Sequence, residues 1–119
     1  MSSHSRCHMS SRCAKYDTCP MTLFHKLVSG KWKLLIIWYL STGELRFSEL
    51  KAKLPDCTQK MLTTQLRSLE EDSLVHREIY PVIPPKVEYS LTELGMKIIP
   101  LLEMMYDFGL EYSNQKNGA

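Results

Sequence analysis

Around Asp72-Ser73 the apolar pattern of this 119-residue chain changes period, and that change limits the folds open to it. Before it, apolar residues return every three or four positions, the period of a helix buried along one face. After it, "LVHREIYPVIPPKVEYSL" is rich in β-branched and aromatic residues, with Val75, Arg77 and Ile79 alternating against His76, Glu78 and Tyr80. That is the period of a strand. Pro81, Pro84 and Pro85 stand between this strand and a second alternating run, Val87-Glu88-Tyr89-Ser90-Leu91. Proline fixes its own φ and lacks an N–H, so the link cannot be a two-residue hairpin turn and is expected as a stiff, extended loop.

The helical part divides into four segments. Pro20 suits a first helical position, Leu23, Phe24, Leu27 and Val28 follow at helical spacing, and Gly30 closes the first segment. From Lys31, Trp32, Leu35, Ile36, Tyr39 and Leu40 form a stripe that Ile37 and Trp38 broaden, which predicts a core helix ending at Gly43. "LRFSELKAKLP" predicts a short third helix with Phe47, Leu50 and Leu54 on one face and Pro55 at its end. After a brief turn, Thr58 is placed to N-cap a fourth helix in which Leu62, Leu66 and Leu69 align. Beyond the strands, Thr92 is expected to cap a long C-terminal helix bent by Pro100. Residues 1–18 are polar and expected as a flexible arm, 19–114 as the folded domain, and 115–119 as a disordered tail.

Helices two to four followed by a hairpin give the order of a winged helix-turn-helix domain, an α+β and mainly helical class with the hairpin as wing. With Leu62 at the centre of the buried face of the fourth helix, Lys60, Thr63, Thr64 and Arg67 point away from it and Gln59 lies at the margin. Such side chains donate to phosphates or base edges, although polar outer faces are general to amphipathic helices. Net charge leans the same way without deciding it. Residues 1–91 carry 13 basic and 9 acidic side chains, or +4, and residues 92–119 carry 2 and 4, or −2.

No apolar run reaches the 18 residues of a membrane span, and the N-terminal stretch lacks the apolar segment of a secretory signal, so a cytoplasmic location is expected. There, Cys7, Cys13, Cys19 and Cys57 are expected as free thiols, metal ligands or redox sensors rather than a disulfide framework. The spacing of Cys7, Cys13 and Cys19, with His4 and His8 nearby, does not fit a zinc site, and neither metal nor cofactor is expected. A Cys–His hydrolase would need a supported histidine, but His4 and His8 lie on the arm and His25 and His76 have no evident partner in the sequence, so no enzyme is expected.

Four segments together resemble one family: Gly30-Lys31-Trp32; Arg46-Phe47-x-Glu49-Leu50; Met61-Leu62-Thr63-x-x-Leu66-x-x-Leu69-Glu70; and Pro84-Pro85-x-Val87-Glu88-Tyr89-Ser90-Leu91-Thr92. From about Cys19 to Tyr112 the chain is similar to the HxlR-type bacterial winged-helix transcription regulators, relatives of the MarR type. The resemblance implies a homodimer on an inverted-repeat, double-stranded DNA operator, with the fourth helix in the major groove, the wing at the flanking minor groove and the terminal helices forming the dimer. The DNA-contacting candidates are Arg46, Thr58, Gln59, Lys60, Thr63, Thr64, Arg67, Pro85 and Lys86, and the dimer candidates are Leu101, Leu102, Met105, Phe108 and Tyr112. The chain departs from the family pattern at Ser73, where glycine is usual, at Cys57, where an aliphatic residue is common, and at Phe108, near a position often held by tryptophan.

The resemblance further implies, for some members, sensing of electrophiles or oxidants by a cysteine just before the first helix, the place of Cys19 in "DTCP". A thiol there meets the positive end of the helix dipole, with Lys15 and Lys26 near in sequence, which favours thiolate. The alternative is that Cys19 packs or caps. Cys57, in an apolar position, is expected to pack, and Cys7 and Cys13, on the arm, are candidates for resolving thiols or for no role at all. Two other functions stay open beside the redox-sensing regulator: a regulator that takes a small hydrophobic effector with no redox role, and a winged-helix module that binds only protein.

Overall fold

The computed structural model describes residues 16–118. The chain forms two compact units, divided after Gly30. The expectations for residues 1–15, including Cys7 and Cys13, lie outside the described residues. In the first unit a 3-10 turn, Tyr16–Thr18, leads to helix α1, Pro20–Leu27, with Pro20 in the first turn as its missing N–H allows.

The second unit holds the winged helix-turn-helix. Helix α2, Lys33–Leu40, is apolar nearly all round and buries Ile36, Ile37 and Leu40, as a core helix must. Strand β1, Leu45–Arg46, leads into α3, Phe47–Lys53, and after a turn α4, Gln59–Glu71, begins at the N-cap Thr58. Leu62, Leu66 and Leu69 make the buried stripe of α4 and share the core with Ile36, Ile37 and Leu50. Lys33 is buried among them, and its ammonium donates to Ser68 Oγ at 2.7 Å, a polar tie between α2 and α4.

Helix α4 ends in a Schellman motif. The N–H of Ser73 bonds the carbonyl of Glu70 (3.0 Å), that of Leu74 bonds the carbonyl of Leu69 (2.9 Å), and Ser73 takes φ 64°. Strands β2, Val75–Tyr80, and β3, Lys86–Leu91, then pair antiparallel in the register Val75↔Leu91 to Tyr80↔Lys86. Strand β1 pairs the other edge of β3 through Leu45↔Tyr89 and Arg46↔Glu88, giving the order β1-β3-β2. Residues 81–85 form the loop between β2 and β3, longer than a two-residue turn, with the Ile83-Pro84 bond cis.

Three expectations are corrected. Residues Leu45 and Arg46 belong to a strand rather than to the third helix, because their backbone groups complete the free edge of β3. The C-terminal segment is two helices, α5, Glu93–Met96, and α6, Ile99–Gly118. Pro100 therefore lies in the first turn of α6, where no N–H is missed, and the break falls before it. Residues 115–118 continue α6 where a disordered tail was expected.

Candidate nucleic-acid interface

The exposed side of α4 begins at its cap. Thr58 Oγ1 accepts the N–H of Met61 at 3.1 Å, which ties the first turn and leaves the hydroxyl hydrogen for an outside acceptor. No acidic residue stands in this first turn, so the free N–H groups and the positive end of the dipole face solvent unopposed. Gln59, Lys60, Thr64 and Arg67 are exposed. Thr63 is half-buried, and its hydroxyl donates back to the carbonyl of Gln59 at 2.9 Å, so it presents a methyl group and lone pairs rather than a donor. Met61, also exposed, adds an apolar point that the polar pattern of the helix does not advertise.

Arg46 sits at the start of α3, where its backbone N–H donates to Glu49 Oε1 at 2.7 Å and its side chain is left exposed. In the wing, Pro85 is exposed, and Lys86 is the first residue of β3, with its ammonium 3.4 Å from Glu88 Oε2 and 5.0 Å from the centre of the Tyr80 ring. Lys86 is thus held along the strand rather than at the outermost point. That point is apolar: Ile83 is 100% exposed and Val82 is exposed beside it. The prolines mark a loop in the sequence, but nothing in a sequence says that its isoleucine will lack any packing partner.

Between α4 and the wing, Arg67, Glu70, Arg77 and Tyr89 line a polar cavity of about 160 Å³. Arg77 Nε donates to Glu70 Oε1 at 3.2 Å. The signal for Arg77 is the alternation of β2, which puts it on the face of Val75, but its neighbours depend on strand register and could not be read from spacing alone. On the outer face of β2, His76 and Glu78 meet at 2.8 Å, so His76 does have a partner, an exposed one.

Cys19 is the N-cap residue of α1 with an extended backbone, its side chain makes no capping hydrogen bond, and it is joined in a disulfide. Cys57 is a free thiol with 0% exposure in the turn before α4. Burial pushes its thiol up, against the opposing pull of Lys51 and then Lys31.

On α6, Leu101, Met105, Phe108 and Tyr112 form one exposed row at intervals of four, three and four, with the last two rings stacked at 6.2 Å. Leu102 leaves that set: it is 5% exposed and packed in the core. Beside the row, Leu34, Leu35, Trp38, Leu102, Met105 and Tyr106 line an apolar pocket of about 200 Å³, with Trp38 stacked on Tyr106 at 5.6 Å. No helix among the described residues is long and apolar enough to cross a membrane.

The profile of the HxlR-like helix-turn-helix proteins matches residues 27–117. YdeP of Bacillus subtilis, an uncharacterized HTH-type transcriptional regulator, is 43% identical over 100 residues, 84% of this chain and 78% of its own length. The redox regulator HypR in its oxidized form superposes with a TM-score of 0.76 at 44% identity, over 78% of this chain and 96% of that one. The reduced form of the transcriptional regulator YodB from B. subtilis superposes with a TM-score of 0.68 at 35% identity, over 76% and 90%.

Proposed function

The chain belongs to the HxlR-like helix-turn-helix family of transcriptional regulators, and from that premise we propose that it acts as a homodimer on an inverted-repeat operator and is switched by oxidation at Cys19. In this reading α4 lies in the major groove, Gln59 and Lys60 reach base edges from its N-terminal turn, Thr64 and Arg67 meet the backbone, and the wing covers the flanking minor groove with Lys86 on a phosphate. The supporting observation for DNA is the division of α4 into a fully buried leucine stripe and an exposed, cationic opposite side whose first turn carries no acidic residue.

The disulfide at Cys19 supports the switch, as does likeness to HypR, a redox regulator known in oxidized and reduced forms, and to YodB, known diamide-treated and quinone-bound. Two thiols closing a disulfide release two protons and two electrons, which diamide accepts. Selection of bound DNA by the purified protein, run with reductant and with diamide, tests both parts. An inverted repeat should emerge, with affinity that differs between the two conditions in the wild type and not in Cys19→Ser. Equal affinity in both conditions for the wild type removes the switch, and failure to enrich any sequence removes the operator.

The apolar pocket beside α6 favours a second reading, a hydrophobic effector acting without redox chemistry. An effector of that kind should raise the melting temperature of the reduced Cys19→Ser protein by mass action, and Trp38→Ala should abolish the shift.

A further inference from the structure

The cavity between α4 and the wing is lined by residues of both elements. Arg67 and Glu70 are close to one turn apart on α4, while Arg77 and Tyr89 are cross-strand partners on β2 and β3. The bond from Arg77 to Glu70 uses Nε, so both Nη groups are without a hydrogen-bond partner among the described residues. Arg67, on the other wall, is exposed and makes no hydrogen bond or salt bridge among the described residues. Burial pushes the Tyr89 phenol up, Glu70 acts in the same direction and the two arginines oppose it, so at neutral pH the phenol is protonated and a donor. One carboxylate against two guanidiniums leaves the cavity with a net charge of +1, opposite in sign to a phosphodiester.

Resting on the placement of α4 in the major groove, we infer that this cavity seats a single backbone phosphate of the operator, held by Arg67 from the helix and by the Nη pair of Arg77 from the wing. A helix in one groove and a hairpin at the next must straddle the strand that separates the grooves, and the crook lined by these residues is where the two elements diverge. Guanidinium suits the task because its fork of donors can bind phosphate oxygens while Nε stays on Glu70, and its charge alone sets the counterion release. A phosphate gripped from both sides fixes the depth of α4 and the angle of the wing together, which sets the register on the duplex without reading sequence.

Salt titrations of DNA affinity test the site, using wild type, Arg67→Gln, Arg77→Gln and the double variant on the selected operator and on an unrelated duplex, with a thermal melt to confirm folding. The double variant should lower the slope of log K against log salt by about 0.9, the release expected for one phosphate, and by the same amount on both duplexes. An unchanged slope in a folded double variant overturns the inference. Arg77→Lys keeps the charge and should keep the slope. If it loses as much slope as Arg77→Gln, Arg77 only props the wing and the inference also falls. A wild type with no salt-dependent affinity would sink the DNA-binding reading itself, whereas a normal wild-type slope beside an unaltered double variant removes the phosphate site alone.

Discussion

At Ser73 a residue with a β-carbon holds φ 64°, in the left-handed region that favours glycine. The Schellman bonds demand that angle, since both the Ser73 and Leu74 N–H groups must turn back onto α4, and Leu74 is then buried. Ser73→Gly is expected to stabilise the protein by about 1 kcal/mol, the cost of the left-handed conformation for a residue other than glycine. Thermal unfolding should show a higher midpoint, and an unchanged one would mean that the turn carries no strain. Cys57 gives a second expectation at this scale. Its buried thiol should resist alkylation in the native protein and react once unfolded, and a native-state reaction as fast as that of a free thiol would contradict the burial. Because its folded pKa is raised, its contribution to stability is complete below the ~8.5 of an unfolded thiol and is lost as the pH climbs toward the folded value.

The elements are joined by one small clamp. Leu74 O accepts the N–H of Thr92 at 3.1 Å, while Thr92 Oγ1 donates to Ser73 O at 2.6 Å and accepts the N–H of Gly95 at 3.0 Å. Thr92 thereby caps α5 and ties it to the exit of α4. A β-carbon at Gly95 would run into the carbonyl of Leu74, a backbone group already engaged by this clamp. Gly95→Ala should therefore destabilise by about 1–3 kcal/mol, as overpacking does. A melting temperature like that of the wild type would show that the clamp gives way freely. The periods of three to four and of two, together with the N-caps Thr58 and Thr92, made α2, α4 and both long strands legible in the sequence. Strand β1 was not legible, because two residues carry no period and their partner strand is more than 40 positions away. Pro100 misled because proline both breaks a helix and opens one, and only the helix that follows decides between the two. The polar side of α4 was visible as a face, but the cavity it shares with Arg77 and Tyr89 required the register of β2 against β3.

For the whole molecule, the question is what covers α6. Leu101, Met105, Phe108 and Tyr112 expose one apolar row along a helix whose Leu102 already serves the core, and the single chain leaves much of that row uncovered. In the proposed isologous dimer the same row would be buried on both copies, and two recognition helices would then meet two half-sites of an inverted repeat. Charge substitution separates the two roles. Phe108, 66% exposed, can become glutamate with little effect on the folded chain, but in a dimer seam that carboxylate meets apolar surface and its own symmetry mate. Phe108→Glu is expected to sediment as a folded monomer and to bind the full operator roughly 10²–10⁴-fold more weakly, since the second half-site no longer adds its effective concentration. Leu102→Glu, by contrast, places a charge in the core and should prevent folding. A Phe108→Glu protein that sediments like the wild type and keeps its affinity would move the dimer seam off this row of α6.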